Sequence, residues 1–291
     1  MRSVAVLGPG GVGGLVAGAL DRAGIDVTVV AREDTAERIA RDGLRIHSVR
    51  LGDFAAWPRT TARLDHDVDL LVVATKAQGL TAALERIIGT PRLVVPLLNG
   101  LDHLAVLRER WPGRVCAATI RVASDRPSAG VIEHTSAGLR IDMAPATDDV
   151  QAAAHLLRGA ELPTKVGDSE ADVMWGKLVR INALACTTTA FDATLGAIRA
   201  HPRQRVALEG CVRETVAAAQ AEGATIAAGP VLTEIDKVEP DFTSSMHRDV
   251  AEGREPELDA IPGAVLRAAA RHGIPCPTIE SLVAAIRLRL S

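Results

Sequence analysis

Residues 4–13 run Val4-Ala5-Val6-Leu7-Gly8-Pro9-Gly10-Gly11-Val12-Gly13, a short apolar strand pattern that passes without a spacer into a GxGxxG glycine set. A glycine set alone is a weak signal; placed between a strand and the start of a helix it has a specific physical reading. Gly8 permits a tight turn, Gly10 lets a backbone approach a pyrophosphate, and Gly13 lets the helix pack against the strand. The N-terminus of that helix then faces the phosphates with unpaired N–H groups. Gly8, Pro9, Gly10, Gly11, Val12 and Gly13 are therefore expected to line a dinucleotide site.

The end of the next strand bears on which dinucleotide is bound. An NAD site usually carries Asp or Glu there for the ribose 2′-hydroxyl. Here the strand ends Val29-Val30-Ala31-Arg32. A guanidinium suits a 2′-phosphate, so NADP is expected. Glu33 is a complication, because it becomes the acid if the strand runs one residue longer.

Working outward, Val4–Leu7, Asp26–Val30, Leu70–Thr75 and Leu93–Pro96 read as strands, with helices over Gly11–Ala23, Thr35–Asp42 and Leu80–Ile88. Continuous apolar strands alternating with helices predict a parallel sheet covered on both faces. Residues 114–142 break that rhythm with Val115–Val122, Gly130–His134 and Gly138–Asp142, which look antiparallel. After Gly167 the texture becomes helical: Leu208, Cys211, Val212, Thr215 and Ala219 keep helical spacing, as do Ile279, Leu282, Val283, Ile286 and Leu290. The expected fold is α/β, an N-terminal Rossmann-type doubly wound parallel sheet over 1–167 followed by an all-helical domain over 168–291.

Composition narrows the function classes. With 291 residues the chain has room for two domains. Net charge is −3 without any basic block, which argues against a nucleic-acid partner. The sequence has no Tyr, so a Tyr general acid is excluded. Cys116, Cys186, Cys211 and Cys276 are scattered and form no CxxC, which reads as reduced thiols in a cytoplasmic protein with no metal site. No apolar run approaches the ~20 residues of a spanning helix, and the first residues do not form a signal peptide.

Four further stretches go beyond a generic dinucleotide fold. Val73-Ala74-Thr75-Lys76-Ala77-Gln78 puts a lysine at the C-terminal end of a buried strand, where ligands of open sheets sit. Leu97-Leu98-Asn99-Gly100-Leu101 follows the next strand, Trp175-Gly176-Lys177-Leu178 opens the helical half, and Thr243-Ser244-Ser245-Met246 precedes Pro256-Glu257-Leu258-Asp259-Ala260-Ile261. In order and approximate spacing this set resembles the ketopantoate reductase (2-dehydropantoate 2-reductase) family from residue 4 to about 290. The resemblance implies an NADPH-dependent cytoplasmic oxidoreductase of pantothenate biosynthesis that reduces a small 2-oxo acid, ketopantoate first among them. It implies Lys177 as the general acid and Glu257 as its orienting partner or the holder of a substrate hydroxyl. Asn99 and Ser245 would fix the substrate, while Lys76, and Asn99 again, would stand on the cofactor side. A lysine pKa of about 10.4 must fall for efficient proton transfer near neutrality, which burial can achieve. Without the family, Lys177 reads as a surface lysine, Glu257 as a charge favoured by a helix dipole, and Ser245 as a helix N-cap. The partners expected are a small-molecule 2-oxo acid and, in a homodimer, a second copy of the chain.

The substrate side departs from the family pattern, which has an Asn four residues after the Lys and an Asn-Pro a further four on. Here Ile181 fills the first slot, Asn182 follows it, and Ala185 and Cys186 stand in the second. A one-residue π-bulge between Lys177 and Asn182 is expected to return the amide to the substrate face; the alternative is a different pocket. Asp259-Ala260-Ile261-Pro262-Gly263 also departs, since the family usually has Asn before Gly. Two other functions stay open. One is a β-hydroxyacid-type dehydrogenase on another 2-oxo or 3-hydroxy acid. The other is a non-catalytic NADP-binding sensor, which would have no need of Lys177, Asn99 and Glu257 together.

Overall fold

The computed structural model describes residues 1–290. The chain forms two compact units, one of Met1–Leu98 with Asp102–Val173, the other of Asn99–Leu101 with the chain from Met174 onward.

The first unit runs β1 (Ser3–Leu7), α1 (Gly11–Arg22), β2 (Asp26–Val30), α2 (Glu33–Asp42), β3 (Leu44–Ser48), β4 (Phe54–Ala56), β5 (Arg59–Thr61), β6 (Val68–Val73), α3 (Leu80–Leu84), β7 (Pro91–Pro96) and α4 (His103–Arg110). It continues with β8 (Ala117–Arg121), β9 (Ser124–Ser128), β10 (Val131–His134), β11 (Arg140–Ala144), α5 (Asp148–Gly159) and β12 (Thr164–Val166). The main sheet has the order β5-β2-β1-β6-β7 with every pairing parallel. Because side chains alternate across a strand, the apolar runs feed two cores at once. Val4, Val6, Val27, Val29, Leu70 and Val72 enter one core with α1. Ala5, Leu7, Val30, Leu71 and Val73 enter the other with α3 and α4.

A second sheet, β4-β3-β10-β9, covers the outer side of α1. That double burial explains why the helix is apolar nearly all round and rich in glycine. A Cβ on Gly14 would lie 2.4 Å from Ile132 and one on Gly18 2.6 Å from Ile46. The irregular region 114–142 is mixed. β8 pairs antiparallel with β11 and β9 with β10, whereas β10 runs parallel to β3 and β11 parallel to β12. The helix expected over Leu80–Ile88 ends at Leu84. The segment beyond it turns to bond Leu64, whose N–H donates to the Arg86 carbonyl at 2.8 Å and whose carbonyl accepts from the Ile88 N–H at 2.8 Å.

Among the described residues the regular elements of the second unit are helices: α6 (Glu170–Phe191, its first residues in the first unit), α7 (Leu195–Ala200), α8 (Pro202–Ala221), α9 (Ala228–Asp236), α10 (Ser245–Ala251), α11 (Ala264–Arg271) and α12 (Pro277–Leu290). Helix α8 packs against α7, α9, α11 and α12. A π-helical turn over Asp259–Gly263 leads into α11. Among the described residues no helix is long and apolar enough to cross a membrane.

Candidate active site

The glycine loop follows β1 directly. Gly8 has φ +93°, and a Cβ there would sit 2.9 Å from Thr75 Cγ2. A Cβ on Gly13 would lie 2.1 Å from the Gly8 carbonyl oxygen, so turn and helix are in backbone contact. Gly10 differs: nothing lies within 4 Å of its would-be Cβ, and it stands as the N-cap of α1. Helix α1 carries no acidic residue in its first turn and begins its ladder with Gly14 N–H donating to Gly10 O at 2.7 Å. An open approach, unused N–H groups and no competing anion fit a pyrophosphate. The loop also has a support that its own residues do not reveal. Ser124 Oγ donates to Gly11 O at 2.9 Å, and a Cβ on Gly11 would strike the Ser124 carbonyl at 2.1 Å.

At the end of β2 the chain leaves the strand after Val30, so Arg32 lies two residues beyond it and Glu33 opens α2. Arg32 is exposed and has no ion-pair partner among the described residues. The Glu33 carboxylate pairs with Arg86 at 3.3 Å. Its own backbone N–H, then Arg86, hold its carboxyl below the ordinary range. Lys76 is exposed just beyond β6, where it caps a short 3₁₀ turn over Ala77–Gly79.

In the second unit three separated segments converge. Lys177 on α6 donates from Nζ to Asn99 Oδ1 at 2.7 Å. Asn99 Nδ2 donates in turn to Glu257 Oε2 at 2.8 Å. Lys177 and Glu257 are each only 8% exposed, and Asn99 is half-buried. An ammonium only donates and a carboxylate only accepts, so one orientation of the amide satisfies both neighbours. The backbone enforces the approach. Gly100 has φ +84°, and a Cβ there would lie 2.2 Å from the Ala260 carbonyl oxygen in the π-helical turn. A Lys N–H aimed at a carbonyl oxygen, backed by an amide and a carboxylate, can deliver a proton and regain its charge balance.

Two expectations are corrected here. Helix α6 is a regular α-helix from Glu170 to Phe191, without a bulge. Five residues on, a side chain lies about 140° round from Lys177. Asn182 is accordingly fully buried, with Nδ2 donating to Thr215 Oγ1 at 2.9 Å on α8 and its amide oxygen accepting from Cys186 Sγ at 3.4 Å. Its amide is engaged within the helical core and is not turned to the face of Lys177. Half-buried Ile181 holds the i+4 position after Lys177 instead. The second correction concerns the start of α10, where Ser244 rather than Ser245 is the N-cap: Ser244 Oγ accepts from His247 N–H at 3.0 Å and meets Thr188 Oγ1 at 2.8 Å. Ser245 is exposed at the first helical position, with no hydrogen bond to Lys177, Asn99 or Glu257 among the described residues.

A parallel sheet with a glycine loop at a helix N-terminus, in a chain whose helical unit bears a buried Lys–amide–carboxylate chain, defines a nicotinamide-dependent oxidoreductase. The chain matches the model of the ketopantoate reductase PanE/ApbA family over residues 4–147 and that of the family's C-terminal domain over 171–289. It is 32% identical to a 2-dehydropantoate 2-reductase of Halobacterium salinarum over 98% of both chains. It is 29% identical to the uncharacterized oxidoreductase YkpB of Bacillus subtilis over 97% of both. The crystal structure of a 2-dehydropantoate 2-reductase from Geobacter metallireducens superposes with a TM-score of 0.90 at 25% identity, covering 98% of this chain and 99% of that one. The chain belongs to the ketopantoate reductase family.

Proposed function

We propose that this protein reduces 2-dehydropantoate to pantoate with NADPH, a step toward pantothenate and coenzyme A. The observation that carries the reading is the hydrogen-bonded chain Lys177–Asn99–Glu257, assembled from residues far apart in sequence. NADPH, when bound, supplies a hydride to the ketone carbon of the 2-oxo acid. Lys177 Nζ gives a proton to the oxygen as it becomes an alkoxide, so the carbonyl becomes a secondary alcohol and the amine regains its proton from solvent. Asn99 orients the Lys177 ammonium through its amide oxygen. Glu257 holds the far edge of that amide and keeps a second carboxylate oxygen available to a substrate hydroxyl. Ser245, exposed at the start of α10, suits a substrate carboxylate or hydroxyl.

For the cofactor, Arg32 is the 2′-phosphate ligand and Lys76, just beyond β6, a second cation. The exposure of Arg32 and the engagement of Glu33 with Arg86 support NADPH over NADH. One observation favours a second substrate: Ile181, not an amide, follows Lys177 by one helical turn. A branched 2-oxo acid without a hydroxyl group suits that position. Rates of NADPH oxidation with ketopantoate, 2-oxoisovalerate and pyruvate in parallel decide between them. Ketopantoate should give the highest kcat/KM. A higher value for 2-oxoisovalerate would move the substrate to the second reading, and no turnover of any acid would overturn both.

A further inference from the structure

We infer that Arg86 is a positioning residue for cofactor choice, holding the Glu33 carboxylate so that Arg32 alone meets the ribose 2′ position. The inference rests on the NADPH reading above and extends it to a residue outside every motif of the chain.

The chemistry at the end of β2 is a competition between two adjacent residues. A guanidinium there favours a 2′-phosphate, while a carboxylate favours the 2′-hydroxyl of an unphosphorylated ribose. Arg32 and Glu33 offer both. A mobile Glu33 carboxylate would repel a phosphate bound to Arg32 and would serve the hydroxyl of the other cofactor. Arg86 removes that alternative. Its Nη1 donates to the Ala62 carbonyl at 3.1 Å and the Ala31 carbonyl at 3.4 Å, which ties it to the backbone beyond β5 and beyond β2. From the same nitrogen it reaches Glu33 Oε1 at 3.3 Å and Oε2 at 3.5 Å. The carboxylate is thus held by a cation that is itself fixed to backbone, while Arg32 keeps an exposed guanidinium with no acidic partner among the described residues. Arg63, exposed nearby, also stabilises the Glu33 carboxylate through its charge.

The test is equilibrium binding of adenosine 2′,5′-bisphosphate and 5′-AMP by titration calorimetry, which needs no turnover. The probes differ only in the 2′-phosphate, so the ratio of their Kd values reads the competition directly. Wild type should prefer the bisphosphate. Arg86→Gln should cut that preference by about tenfold or more, the effect of freeing one charged group to oppose the phosphate. Adding Glu33→Gln to Arg86→Gln should restore most of it, because the released carboxylate is then gone. A double variant as poor as Arg86→Gln would reduce Arg86 to a backbone clamp and overturn the inference, as would a preference that survives Arg86→Gln. Glu33→Gln alone keeps the question decidable if Arg86→Gln fails to fold: its preference should equal or exceed that of wild type, and a lowered one would count against the inference. A wild type that prefers 5′-AMP would refute the NADPH reading itself, an outcome separable from failure of the Arg86 role.

Discussion

An amide between an ammonium and a carboxylate has one useful orientation, and Asn99 holds it between Lys177 and Glu257. Each of the three residues stands in a recognisable motif, so their presence was legible in the sequence. Their order was not, since the sequence suggested Glu257 beside the lysine and the structure inserts the amide. Asn182 is the opposite case. Its polarity invited a ligand role, but its partners Thr215 and Cys211 lie on another helix, and no local pattern announces them. Asn182→Ala should therefore cost about 1–3 kcal/mol of stability through the buried partners it abandons. KM for the 2-oxo acid should stay unchanged. Denaturant unfolding together with steady-state kinetics checks this, and a raised KM at unaltered stability would restore Asn182 to the substrate site. Arg86 carried no signal at all, because its value depends on a chain reversal that brings it to the end of β2.

At the scale of elements, helix phase decided what the sequence left open. Helix α6 stays regular, and Asn182 shares its buried face with Leu178, Ala185 and Thr189. The π-helical turn lies instead at Asp259–Gly263, where Pro262 has no N–H to donate. The Gly263 N–H reaches back to the Leu258 carbonyl at 2.9 Å, a five-residue step. That turn presents the Ala260 carbonyl to Gly100. Gly100→Ala meets both a left-handed φ and the carbonyl, so it should lose about 1–3 kcal/mol and displace Asn99. A lower denaturant midpoint with a lower kcat is the expected pair, and unchanged values of both would contradict it.

A second element-level prediction concerns the sheet over α1. His134 on β10 is 1% exposed, with Nδ1 2.8 Å from Ser48 Oγ on β3. Burial lowers its pKa from the ordinary 6.5. The unfolded chain then binds more protons just below 6.5, so this contribution to stability is complete above that pH. It is lost progressively as pH falls from there toward the lowered folded-state value. His134→Gln should flatten the pH dependence of the unfolding midpoint in that window, and an identical slope in the variant would contradict the assignment.

At the scale of the whole molecule, the parallel sheet was legible because buried strands must be continuously apolar, and the positions of β1 and β2 followed within a residue. Strands β3, β4, β5, β9 and β12 were not, being short or polar on one face; β3, β5 and β12 also depend on partners set apart from them along the chain, β10, β2 and β11. The cores are mostly aliphatic, with Trp111 and Trp175 among the few buried aromatic side chains and with buried thiols. Burial pushes Cys116 up to about 12 and Cys276 up to about 11, while the adjacent Cys186 and burial push Cys211 well above the ordinary thiol range. A thiol reagent at neutral pH should therefore label the folded protein slowly and the unfolded protein at once. Fast labelling of the native state would contradict that burial.

Everything proposed for the chemistry turns on Lys177 protonating the product of an NADPH-dependent reduction of a 2-oxo acid. The decisive quantity is the rate of NADPH oxidation with ketopantoate for wild type and Lys177→Ala, with the NADPH Kd of each measured separately. The variant should show a kcat about 10²–10⁴-fold lower, with the Kd for NADPH nearly unchanged. A variant that keeps wild-type kcat would remove Lys177 from the proton transfer and leave the buried Lys–amide–carboxylate chain a structural feature only.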